Sequence, residues 1–158
     1  MKSLQPDSAI IVCVGNSLAG DDAAGCAVYE ALAVLFLPSG VRLRLLGLGG
    51  IALLDEFKGE SCLVVVDAVQ LGAAPGTVHV LAWDDIPVAG GTAVSLHGLG
   101  IRETITIGRM LYPEIMPHRI FLVGIEGACF DHLGQEMSPE VAASVDQAAA
   151  QVMKLIAV

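Results

Sequence analysis

Apolar residues come along this chain in short runs separated by Gly, Pro and Asp, with no single long stretch. That spacing is how buried parallel strands and the helices covering them read. Ala9 to Val14 predicts a first strand, and Ala23 to Leu37 a helix with Val28, Leu32 and Leu35 on one face, closed by Pro38-Ser-Gly40. Val41 to Leu46 alternates apolar residues with Arg42 and Arg44, as a half-exposed strand does, and Gly49-Gly50 opens a short helix running through Phe57. Ser61 to Asp67, with Leu63-Val-Val-Val66 inside it, is the candidate central strand and ends in a carboxylate. Pro75-Gly76 marks a turn, Thr77 to Trp83 alternates as an edge strand does, and a loop follows through Pro87 and Gly90-Gly91 to Ser95. His97 falls where that loop passes into a helix from Ile101 to Leu111. Arg119 to Gly124 is the last strand. Ser138 as N-cap and Pro139 at N1 start a final helix, striped by Val141, Val145, Ala148, Val152 and Leu155.

Strands alternating with helices predict an α/β fold, an open twisted and mostly parallel sheet of about five strands. One antiparallel edge strand and helices on both faces complete it, and no linker or repeat divides residues 1–158 into more than one domain. Composition changes the picture in two places. Hydrophobic residues make up 54% of the chain and mean hydropathy is +0.70, yet no apolar run approaches the roughly 20 residues of a spanning helix. Net charge is -9, from 17 acidic and 8 basic residues, which disfavours nucleic acid and anionic membranes as partners and suits a metal or a protein surface. The N-terminus shows no export signal, so the expected location is the cytoplasm. Cys13, Cys26, Cys62 and Cys129 are widely spaced without a C-x-x-C pair and are read as buried free thiols.

The chemistry concentrates after the first strand, in Gly15-Asn-Ser-Leu-Ala-Gly-Asp-Asp22. The glycine spacing is that of a phosphate-binding P-loop, but two carboxylates stand where the lysine belongs, so phosphate is excluded. Asp21 reads as the N-cap of the first helix, while Asp22 beside it would be redundant as a second cap. Asp67 ends a Val-rich strand, where a carboxylate is costly unless hydrogen-bonded, paired or metal-bound. Ligands of open α/β sheets bind beyond the carboxyl ends of the strands, which is where Asp22 and Asp67 fall. Among the histidines, His79, His118 and His132 read as surface or packing residues, whereas His97 precedes a helix at the same end. Asp22, Asp67 and His97 together would make a three-ligand site for nickel, zinc or a similar divalent ion. No G-x-S-x-G motif occurs to support a serine nucleophile.

Several segments resemble the hydrogenase maturation endopeptidases: Gly15 to Gly25, Asp67-Ala-Val with Ala74-Pro-Gly-Thr-Val78, Ser95-Leu-His97-Gly-Leu, Leu122-Val-Gly-Ile-Glu126 and Met137-Ser-Pro-Glu-Val141. The resemblance implies a protease that removes a C-terminal peptide from the nickel-loaded precursor of a nickel–iron hydrogenase large subunit. It also implies Asp22, Asp67 and His97 as the metal-binding trio, with Asp22 and Asp67 as catalytic candidates and nickel supplied by the precursor. Two departures stand out. Leu45-Leu-Gly-Leu-Gly-Gly50 replaces the family's Asp-Gly-Gly-Thr-x-Gly, and Ile125-Glu-Gly127 replaces Ile-Glu-Pro. A non-proteolytic module recognising a metal-loaded partner and a small-molecule metallohydrolase are the alternative readings.

Overall fold

The computed structural model describes residues 5–47, 50–87, 96–130 and 133–157, with residues 5–7 and 96–99 described by backbone alone. Gly49 at the expected helix start, Gly90, Gly91 and Ser95 in the expected loop, and His132 lie outside the described residues.

Short Val- and Ile-rich runs favour extended backbone that packs on both faces, and they pair here into a five-stranded sheet. The strands are β1 (Gln5–Val14), β2 (Val41–Leu46), β3 (Glu60–Val69), β4 (Val78–Ala82) and β5 (Arg119–Glu126). Their order is β2-β1-β3-β5-β4, so β3 is central, and only β4 among them runs antiparallel to its neighbour. The helices are α1 (Ala24–Ala33), α2 (Leu53–Glu56), α3 (Leu96–Leu111) and α4 (Pro139–Ile156).

The two-residue period of the pleat sorts the core into two layers. Ile11, Cys13, Val64, Val66, Val123 and Ile125 pack on one face with Val28 and Leu32 of α1 and Val141, Ala148 and Val152 of α4. Ile10, Val12, Leu63, Val65 and Leu122 pack on the other with Leu53 of α2 and Ile101 and Ile105 of α3. Each Val, Leu or Ile among them, fully buried, contributes about 1.5–3 kcal/mol relative to exposure.

Several features differ from the sequence expectation. β3 runs two residues past Asp67, because the backbone of Asp67 pairs with Gly124 whatever its side chain, and Ala68 and Val69 continue the ladder. α1 stops at Ala33, four residues before Leu37, and leaves Val34, Leu35 and Phe36 exposed. The cysteines also divide: Cys13 and Cys62 are buried, Cys26 is half-buried, and Cys129 is exposed in the loop after β5, where no strand or helix pattern encloses it. Arg42 and Arg44 do mark a half-exposed edge. Arg42 pairs with Glu60 and Arg44 with Glu56 at 3.0 Å, and this cover discourages another strand from adding to β2.

Candidate functional site

At the carboxyl ends of β1 and β3 the chain leaves the sheet in opposite directions. β1 leads through α1 on one face to β2, whereas β3 leads away through β4 and α3, which packs on the other face. This divergence makes the crevice that open α/β sheets use for ligands. Asp22 sits in the 3-10 turn Gly20–Ala23 that follows β1, and Asp67 is third from the end of β3. Both are buried, with 9% and 3% of their surface exposed, so neither is an ordinary solvated acid. The Oδ1 of Asp67 accepts the N–H of Ala68 at 2.8 Å.

The half-buried Cys26 thiol reports how the two acids are placed. Its pKa is raised by burial first, then by the negative charge of Asp22, with Glu30 and Asp67 adding to the effect. Cys13 is raised in the same sense by burial, by Cys26 and by Asp67. Both carboxylates thus act on the Cys26 thiol, Asp67 the more weakly.

The glycines explain how the turn lies so close to β1. A Cβ on Gly25 would stand 1.9 Å from the Val14 carbonyl oxygen, and one on Gly15 would stand 2.4 Å from that of Asp22. Only bare backbone permits the approach, which lets the Asn16 N–H donate to the Asp22 carbonyl at 3.1 Å. The P-loop-like spacing thus serves close packing between turn and strand.

Asp21 does not cap α1 as expected, since the N-cap of that helix is Ala23 and no side chain bonds there. The Asp21 carboxylate, fully buried, instead accepts the N–H groups of Ala128, Cys129 and Ser138 at 2.8, 3.0 and 2.7 Å. The Ser138 hydroxyl also donates to it, at 2.9 Å. Ser138 holds the N-cap position of α4, but its hydroxyl bonds Asp21, and no side-chain hydrogen bond caps that helix. Burial pushes the Asp21 carboxyl up, but the N–H bonds from Ala128, Ser138 and Cys129 outweigh it and hold the pKa below its ordinary value.

Sequence reasoning quoted Glu126 only within a motif, yet the structure gives it a definite task. Buried at the end of β5, it accepts the N–H groups of Leu71, Gly72 and Ala73 at 2.9 to 3.1 Å and so shapes the loop leaving β3. His79, read from sequence as a surface or packing residue, faces it across the β4–β5 pair with Nε2 at 2.9 Å from the carboxylate. The signal was available: Glu126, like Asp67, is a carboxylate finishing an apolar strand.

His97 is the second residue of α3, inside the helix and not ahead of it, and its side chain lies outside the described residues. By the alternation of the pleat, Asp67 falls on the sheet face that carries Leu63 and Val65, which is the face covered by α3. Among the described residues no three His, Cys, Asp or Glu side chains form a group that could hold a metal ion.

Residues 26–155 match the hydrogenase maturation protease family, HycI. The chain belongs to that family. This maturation protease is 30% identical over 156 residues to the hydrogenase expression/formation protein HupD of Rhodobacter capsulatus, a match covering 98% of the chain and 73% of that protein. It is 30% identical to the hydrogenase 2 maturation protease of Escherichia coli (strain K12), over 91% of the chain and 87% of the relative. Among solved structures, the hydrogenase maturating endopeptidase HybD from E. coli superposes with a TM-score of 0.83 at 27% identity, covering 95% of this chain and 92% of that one. The [NiFe] hydrogenase maturation protease HybD from Thermococcus kodakarensis gives 0.80 at 27% identity, over 94% and 99%. The maturation protease therefore shares its fold with solved hydrogenase maturation endopeptidases.

Proposed function

We propose that this maturation protease acts in the cytoplasm on the precursor of a nickel–iron hydrogenase large subunit and removes a C-terminal peptide once nickel is in place. The observation that carries the reading is the pair of buried carboxylates, Asp22 and Asp67, at the carboxyl ends of β1 and β3. Buried acids at such a place cost several kcal/mol unless they hold a ligand or accept protons and hydrogen bonds. Asp22 and Asp67, with His97 from the first turn of α3, supply oxygen and nitrogen donors suited to a divalent ion such as the nickel of the substrate. Three donors bind an ion modestly by themselves. Affinity and positioning then depend on the ligands the precursor already contributes, so an unloaded precursor is passed over.

The chemical step follows from the same residues. Holding the loaded precursor places its scissile peptide beside the acids, which removes most of the entropic cost of their meeting. A carboxylate of the pair takes a proton from water as the water oxygen attacks the peptide carbonyl, and the C–N bond breaks as that proton passes to the leaving amine. No helix among the described residues is long and apolar enough to cross a membrane.

The test is an intact-mass measurement of the precursor, loaded or free of nickel, after incubation with the protein. Loss of one C-terminal peptide from the loaded form only is expected, and Asp22→Asn and Asp67→Asn are each expected to abolish it while circular dichroism is unchanged. Full processing by either variant overturns the assignment of that residue.

A further inference from the structure

Next to Asp22 lies a feature that the proposed chemistry leaves unused. A cavity of about 530 Å³ opens between the β1–α1 turn and the segment leading into α4. Leu18 and Ala23 form one wall, Met137 and Ala142 the other, and Glu136 is the charged residue of the lining. Its volume lies within the usual range of ligand sites, and its lining is mainly apolar.

The walls are fixed to one another before any ligand arrives. Gly134 donates its N–H to the Leu18 carbonyl at 2.7 Å, and Gly20 to the Gln135 carbonyl at 3.1 Å. The Asp21 carboxylate clamps Ser138 from the same turn. Leu18, in the lining, is nevertheless 66% exposed, so a large apolar side chain stands at the opening instead of collapsing into the space. A preformed apolar cavity with an apolar lip costs stability in water and recovers it when an apolar group enters.

The occupant follows from continuity with the crevice. Ala23, in the lining, directly follows Asp22. An extended polypeptide advances about 3.3–3.6 Å per residue, so a chain whose scissile bond lies at Asp22 sets a side chain one or two positions away over this opening. We infer that the cavity is the specificity pocket of this protease and receives an apolar side chain of the precursor next to the scissile bond. The inference rests on the reading that Asp22 belongs to the hydrolytic site.

The experiment has one readout for the pocket and another for the reaction. The nickel-loaded large-subunit precursor is titrated into protein carrying 13C-labelled methionine methyl groups, with the Met137 signal assigned from Met137→Leu. The Met137 methyl is expected to shift on binding. Ala142→Trp fills the cavity from the exposed side of α4, and it is expected to weaken binding of the loaded precursor and to lower kcat/KM on it about 10- to 200-fold, mostly through KM. It should also erase the difference between the precursor and variants in which apolar residues near the cut are changed to Ala. Should Ala142→Trp fail to fold, Leu18→Asp in the exposed turn replaces it with the same expectation. An unmoved Met137 signal, or a filled cavity with unchanged KM, overturns the pocket while leaving the protease reading intact. A shifted Met137 signal without cleavage of the loaded precursor by the wild-type protein keeps the pocket and removes the reading on which its position next to a cut was based.

Discussion

Asp21 owes its use to what its carboxylate meets. Asp21 is consumed by donors from three residues, Ala128, Cys129 and Ser138, so it serves the architecture. Replacing it by Asn removes the charge that makes these bonds strong and sets an NH2 group against N–H donors. A loss of about 2–4 kcal/mol in urea unfolding at pH 7 is expected, from hydrogen bonds to a charged group worth about 1.5–3 kcal/mol each but sharing one acceptor. Because the folded-state pKa lies below the ordinary 3.8, this stabilisation is fully present above that value and disappears as pH falls through the lower folded value. The wild type should therefore lose more stability than Asp21→Asn between pH 5 and strongly acidic conditions, and parallel pH profiles would contradict the role given to the carboxylate. Glu126 is a second case. Glu126→Ala leaves the N–H groups of Leu71, Gly72 and Ala73 without their acceptor, and faster amide exchange at these three residues is the expected signature.

At the scale of elements, the cores of the strands were legible and their ends were not. Val41–Leu46 was readable residue for residue because apolar and arginine positions alternate there. β3 and β5 each ran two residues further than the apolar pattern showed, since backbone pairing passes through Asp67 and Gly124 without regard to polarity. The end of α1 was hidden for the converse reason: Val34, Leu35 and Phe36 are apolar but exposed, and periodicity cannot tell a covered face from a bare one. Asp22 and Asp67 could be singled out from strand order, whereas the partners of Asp21 could not, because they lie 107 to 117 residues away. Where α1 meets β1, helix propensity and packing oppose each other. Gly25→Ala gains up to about 1 kcal/mol of propensity but drives a methyl group into the Val14 carbonyl. A net loss of about 1–3 kcal/mol is expected in thermal or urea unfolding, and a stabilised variant would show that α1 can retreat from the strand.

On the scale of the whole molecule, the crevice is assembled from parts remote in sequence. Asp22 and Asp67 flank the place where the connections of the sheet diverge, and α4, packed on the same face as α1, closes the turn that carries Asp22. Sheet strands and covering helices were foreseeable from the sequence; their closure around the turn required the coordinates.

The clamp at Asp21 also imposes an order in time. The turn that bears Asp22 is synthesised early, but its anchors at Ala128, Cys129 and Ser138 are made more than a hundred residues later. A nascent chain leaving the ribosome thus carries this turn long before the residues that anchor it. In pulse-labelling during refolding, the Asp21 amide, bonded to the Cys129 carbonyl at 2.8 Å, should gain protection together with α4 and not with β1.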